Sequence, residues 1–123
     1  MSVVLDTTVL VDVLRRSPAA RDFLKDLEGQ PSCSEVTRVE IVRGLRSAER
    51  ASADRLLSEI RWCPVDEDVA RVAGELGRRF CSTHRHLSTA DLIVAATAQG
   101  LALPLATSNV KHYPLFPRLK PPY

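Results

Sequence analysis

Residues 92–98 read Leu-Ile-Val-Ala-Ala-Thr-Ala, and this stretch limits the fold more than any other in the chain. Ser88 starts a helix that carries it and Gly100 ends it. Such a helix has no polar face, so the rest of the protein must enclose it. It is expected to be the central helix.

The other segments alternate between short apolar runs and helical spacing. Val3, Val4 and Leu5 form a short strand ending at Asp6, after which Val9, Leu10, Val13 and Leu14 recur at helical intervals over residues 7–15. Ser17 with Pro18 reads as an N-cap followed by proline at the first helical position, and Gly29 as the stop beyond Phe23, Leu24 and Leu27. Residues 31–36 suit a second strand. Thr37 is expected to open a helix bearing Val39, Ile41, Val42 and Leu45, with another through Leu56, Leu57 and Ile60. Residues 61–65 read as an edge strand interrupted by Pro64. Asp66 caps a long helix with Val69, Val72, Ala73, Leu76 and Phe80 on one face, although Gly74 and Gly77 weaken it. Residues 103–106 supply a further strand, and the proline-rich tail 114–123 has room for a brief edge strand around Leu119. This alternation predicts an α/β fold: a single domain over residues 1–123 with a mainly parallel central sheet flanked by helices.

A chain of 123 residues with 45% hydrophobic side chains suits one core that buries roughly two thirds of its unfolded surface. The net charge of +2, from 17 basic and 15 acidic residues, neither requires nor excludes a polyanionic partner. Arg43, Arg46, Arg50 and Arg55 form one basic group and Arg78, Arg79 and Arg85 another; either can follow a phosphate backbone or lie on a solvated helix face. Cys33, Cys63 and Cys81 are odd in number and far apart, which argues against a disulfide framework or thiolate zinc site and fits a reducing cytoplasm. Asp6 and Asp12 break the first apolar run, so it is not read as a signal peptide. No window approaches the roughly 20 apolar residues of a membrane span.

Three carboxylates occupy comparable places. Asp6 lies between a strand and a helix, and Glu40 and Asp91 are each expected in the first turn of a helix. In open α/β sheets the crevice beyond the carboxyl ends of the strands collects such residues, and helix N-termini favour their ionised forms. A capping explanation also stands, since Thr37-x-x-Glu40 is a capping-box pattern, Ser88-x-x-Asp91 a near relative and Asp6 an ordinary N-cap type. If the three converge, their repulsion calls for a hard divalent cation. Magnesium, or manganese in its place, accepts such oxygen ligands and activates water for attack on phosphorus.

Four segments together resemble the PIN domain and, within it, the VapC-type toxins of bacterial toxin-antitoxin modules. They are Val4-Leu5-Asp6-Thr7-Thr8-Val9-Leu10-Val11-Asp12, Thr37-Arg38-Val39-Glu40-Ile41-Val42-Arg43-Gly44, Ala90-Asp91-Leu92-Ile93-Val94-Ala95-Ala96-Thr97-Ala98 and Ala106-Thr107-Ser108-Asn109-Val110-Lys111-His112-Tyr113. The resemblance spans essentially the whole chain and implies a Mg²⁺- or Mn²⁺-dependent endoribonuclease, a cognate VapB-like antitoxin and a homodimer. It places Asp6, Glu40 and Asp91 as acidic metal ligands, with Asn109 at a fourth position that is often Asp. Asn109 offers a carbonyl oxygen without the charge. Ser108 stands where similar toxins commonly carry Arg.

Thr7 and Thr107 flank the expected site and are candidates for orienting its carboxylates or waters, or plain turn hydroxyls. Asp12 is expected in a structural or solvent-facing role, His84-x-His86 in a polar loop, His112 in a structural contact and Trp62 in packing. Two other functions fit parts of the sequence. An aspartate-based phosphatase would use Asp6 as nucleophile but wants a second Asp where Thr8 stands, and an inactive RNA-binding module would not need all three acids. The apolar, arginine-studded helices between residues 37 and 60 are a candidate groove for the antitoxin.

Overall fold

A computed structural model describes residues 2–84 and 87–123. Strands β1 (Val4–Leu5), β2 (Ser32–Ser34), β3 (Arg61–Cys63) and β4 (Leu105–Ala106) form one sheet in the order β3-β2-β1-β4. Every pairing is parallel, with Val4 opposite both Ser32 and Leu105 and Cys33 opposite Trp62. The helices among the described residues are α1 (Thr7–Leu14), α2 (Pro18–Lys25), α3 (Glu35–Gly44), α4 (Arg50–Ser58), α5 (Glu67–Phe80) and α6 (Thr89–Leu101). The expected α/β architecture is therefore present, with helices between successive parallel strands.

Alternation along β1 divides the core. Leu5 packs with Val9, Leu10, Cys33, Ile41, Leu57 and Ala106, whereas Val4 packs with Ala73, Leu76, Val94, Leu105 and Tyr113. Successive side chains of a strand face opposite sides, so a two-residue strand seeds both clusters. Burial drives the Cys33 thiol up to about 12, so it remains a protonated, small apolar side chain.

Central helix α6 is as enclosed as its composition requires, with Val94, Ala95, Ala96, Thr97 and Ala98 all buried. Thr97 Oγ1 donates to the Ile93 carbonyl at 2.8 Å, which satisfies its only polar side-chain group. The long helix α5 runs without interruption through Gly74 and Gly77. Gly77 has a packing reason: a Cβ there would stand 3.1 Å from Leu92 Cδ1.

Three boundaries differ from expectation. Helix α2 ends at Lys25, and Gly29 instead serves the following turn with φ +90°. The tail forms no strand around Leu119; Pro114, Pro117, Pro121 and Pro122 remove amide donors, and Phe116 and Leu119 pack against the α5–α6 cluster. Helix α3 starts at Glu35 because Ser34 Oγ accepts from the Val36 amide at 3.2 Å, so Thr37 is inside the helix and does not cap it. Thr37 Oγ1 is buried and lacks a hydrogen-bond partner among the described residues. Replacing Thr37 with Val keeps the branched shape and removes that hydroxyl. The substitution is expected to raise the unfolding free energy by about 1 kcal/mol, measured by urea denaturation.

Candidate active site

Asp6 follows β1 directly and occupies the N-cap position of α1, yet its carboxylate makes no capping hydrogen bond. The side chain is instead buried beneath hydroxyl groups. Thr107 Oγ1, just beyond β4, donates to Oδ2 at 2.6 Å; Tyr113 donates its phenolic proton to Oδ1 at 3.1 Å; Thr8 Oγ1 lies 3.3 Å from Oδ2. Because β1 pairs with β4 in parallel, residues that leave both strands emerge at the same edge of the sheet. That register brings Asp6 and Thr107 together across 101 residues of sequence.

Glu40 comes from the second turn of α3, not the first, because the Ser34 cap moves the helix start back. The expected Thr37-Glu40 capping box is therefore absent, and Glu40 is oriented by a side chain from another helix. Thr7 Oγ1 donates to its Oε1 at 2.6 Å. Asp91 does sit in the first turn of α6, where its Oδ2 accepts from the Ser88 amide at 3.1 Å and its own amide donates to Ser88 Oγ at 3.0 Å. His112 Nδ1 lies 3.1 Å from the same Asp91 oxygen. The residue thus caps its helix and faces the 3-10 turn Val110–His112 at once.

Asn109 stands before that turn, with its backbone amide donating to Thr107 Oγ1 at 3.0 Å. Ser108 uses its amide to donate to Thr8 Oγ1 at 3.1 Å. Thr107 is consequently both donor and acceptor at the centre of a hydroxyl network that joins the ends of β1 and β4.

In the sequence Tyr113 stands only as the last residue of the fourth resembling segment, with no role of its own. Its hydroxyl is raised above the ordinary phenol range first by burial and then by the charges of Asp6, Asp91 and Glu40. The fields of all three acids therefore meet at one side chain. No ion pair among the described residues involves Asp6 or Glu40. Nor do three carboxylate, imidazole or thiol side chains among them stand close enough to ring one ion. The donors are hard carboxylate oxygens, and a buried acid held only by hydroxyls suits a hydrated divalent cation that keeps several water ligands.

Other candidates lie elsewhere. Asp12 accepts a hydrogen bond from Tyr123, whose ring is 5.9 Å from that of Phe23. Trp62 donates from Nε1 to the Leu57 carbonyl at 2.9 Å beneath the Arg38 guanidinium. Arg85 and His86, parts of the second arginine group and the histidine pair, lie outside the described residues. No helix among the described residues is long and apolar enough to cross a membrane.

A four-stranded parallel sheet flanked by helices has counterparts among known proteins. The PIN domain pattern matches residues 3–114. Over 122 residues the chain is 43% identical to Ribonuclease VapC19 of Mycobacterium tuberculosis, covering 97% of this chain and 98% of the relative. Ribonuclease VapC10 of the same species is 41% identical over 123 residues, covering 98% of this chain and 92% of the relative. A toxin-antitoxin complex from Klebsiella pneumoniae contains a chain with TM-score 0.82 and 26% identity, each chain covered to 98%. The protein belongs to the PIN domain family, in its VapC-type branch.

Proposed function

We propose that residues 1–123 form one endoribonuclease domain, the toxin of a toxin-antitoxin module, which hydrolyses RNA phosphodiester bonds with Mg²⁺ or Mn²⁺. The observation that carries the site assignment is the enclosure of Asp6: a buried carboxylate aligned by Thr107 and Tyr113, with no ion pair among the described residues. Asp6, Glu40 and Asp91 are the metal ligands in this reading, and Asn109 is a fourth group that reaches the ion directly or through water. A bound divalent cation supplies charge neutralisation at the phosphate and lowers the pKa of water. Thr7 holds the Glu40 carboxylate, Thr107 holds that of Asp6, and the Ser88 amide anchors Asp91. An aspartyl-phosphate mechanism is less well supported, because both Asp6 oxygens already accept hydrogen bonds and Thr8 donates where a second acid is wanted.

The partners follow the same reading. A VapB-like antitoxin segment is assigned to the helices between residues 37 and 60, where Arg55 and Leu56 of α4 line, with Val13, Leu14, Arg16 and Arg21 of the preceding helices and their connection, a cavity of about 360 Å³. A second copy fits against α3, where Val39 and Val42 are 62% and 52% exposed. Cytoplasmic action accords with an RNA substrate and with the odd number and wide spacing of Cys33, Cys63 and Cys81.

Metal removal tests the reading. Purified chain freed of antitoxin is expected to cut RNA in Mg²⁺, to stop in excess EDTA and to resume when Mg²⁺ or Mn²⁺ is restored. Undiminished cleavage in EDTA would overturn it.

A further inference from the structure

Tyr113 follows the turn Val110–His112 and is only 2% exposed, the largest side chain so fully buried. Its ring belongs to the cluster made by α5 and α6, with Leu76, Val94 and Leu105. Packing accounts for the ring but not for the hydroxyl, since a phenyl group would fill nearly the same space without a polar atom to desolvate. The hydroxyl has a specific partner: it donates to Asp6 Oδ1 at 3.1 Å while Thr107 donates to Oδ2 at 2.6 Å. One donor alone lets a carboxylate turn about its Cβ–Cγ bond. Donors on both oxygens fix that angle and therefore the directions of the remaining lone pairs.

The adjacent residue extends the effect. His112 Nδ1 is 3.1 Å from Asp91 Oδ2, so two consecutive side chains touch Asp6, which follows β1, and Asp91 on α6. A single short turn thus spans from one carboxylate to the other.

We propose that Tyr113 is a positioning residue: its hydroxyl holds the Asp6 carboxylate in the orientation that binds the divalent cation. This inference rests on the metal-dependent reading above, and its test separates the two. Manganese binding is measured by calorimetry in the absence of RNA for the natural chain, Tyr113→Phe and the control Tyr123→Phe. Tyr113→Phe is expected to weaken Mn²⁺ binding about tenfold, in the range found when a group orienting a metal ligand is removed. Loss of one hydrogen bond to a buried carboxylate is expected to lower its metal-free melting midpoint by several degrees, so affinity is measured well below that midpoint, and Tyr123→Phe should bind Mn²⁺ normally. Equal affinity in folded Tyr113→Phe would overturn the proposal, as would equally weakened binding in Tyr123→Phe. A natural chain that binds no Mn²⁺ would overturn the metal reading as well.

A second measurement keeps the substituted site intact. The sequence has two tyrosines, so Tyr123→Phe leaves Tyr113 as the only one. Addition of Mn²⁺ to that variant is expected to shift the tyrosine band in the near-ultraviolet difference spectrum; an unchanged band would refute coupling between the phenol and the metal site.

Discussion

Asp6→Asn is expected to reduce Mg²⁺-dependent RNA cleavage by more than about a hundredfold, since even the partners that orient metal ligands are worth about 10–100-fold. The amide has nearly the same shape as the carboxylate, so the fold should persist. It also lacks the charge that the natural site buries at 5% exposure without an ion pair among the described residues. The metal-free variant should therefore stay within about 1 kcal/mol of the natural chain, because relief of charge burial offsets the one hydroxyl that now faces an amide NH2 instead of an acceptor oxygen. Cleavage of labelled RNA and urea denaturation on the same preparation measure both effects. Retained activity would remove Asp6 from the proposed ligand set.

Leu10→Ala is expected to lower the unfolding free energy by about 3 kcal/mol, in the middle of the range for truncating a buried leucine. Leu10 is fully buried on α1 and packs with Leu5, Ile41 and Leu57. Such a loss is a large share of the roughly 5–15 kcal/mol that sustains an ordinary domain. Because α1 begins immediately after Asp6 and carries Thr7, the same cavity should loosen the support for Glu40. Urea denaturation reads the first effect, and Mn²⁺ affinity at a temperature where the variant remains folded reads the second.

The parts of this fold that were legible from sequence are those in which a local pattern had one outcome. Residues 92–98 allowed only an enclosed helix, and Val4-Leu5-Asp6 allowed little besides a buried strand ending in an acid. The start of α3 was different, because Ser34 and Thr37 are both capping types three residues apart. Backbone pairing of β2 up to Ser34 selected the first and left Glu40 one turn deeper than expected. The tail misled through hydrophobic residues that pack without forming a strand. Asp6 and Asp91 could be named from their motifs, but their hydroxyl partners could not all be found that way. Thr107 lay in a recognisable segment, whereas the hydroxyl of Tyr113 acquires meaning only through a contact across 107 residues.

That separation also sets when the site can exist. A nascent chain that ends before Thr107 has the β1 acid but neither hydroxyl that aligns it from the far end of the sequence. Both hydroxyls must leave the ribosome before the Asp6 carboxylate can be locked in place. Synthesis itself thereby delays assembly of the proposed centre until the chain has grown more than 100 residues beyond its first acid.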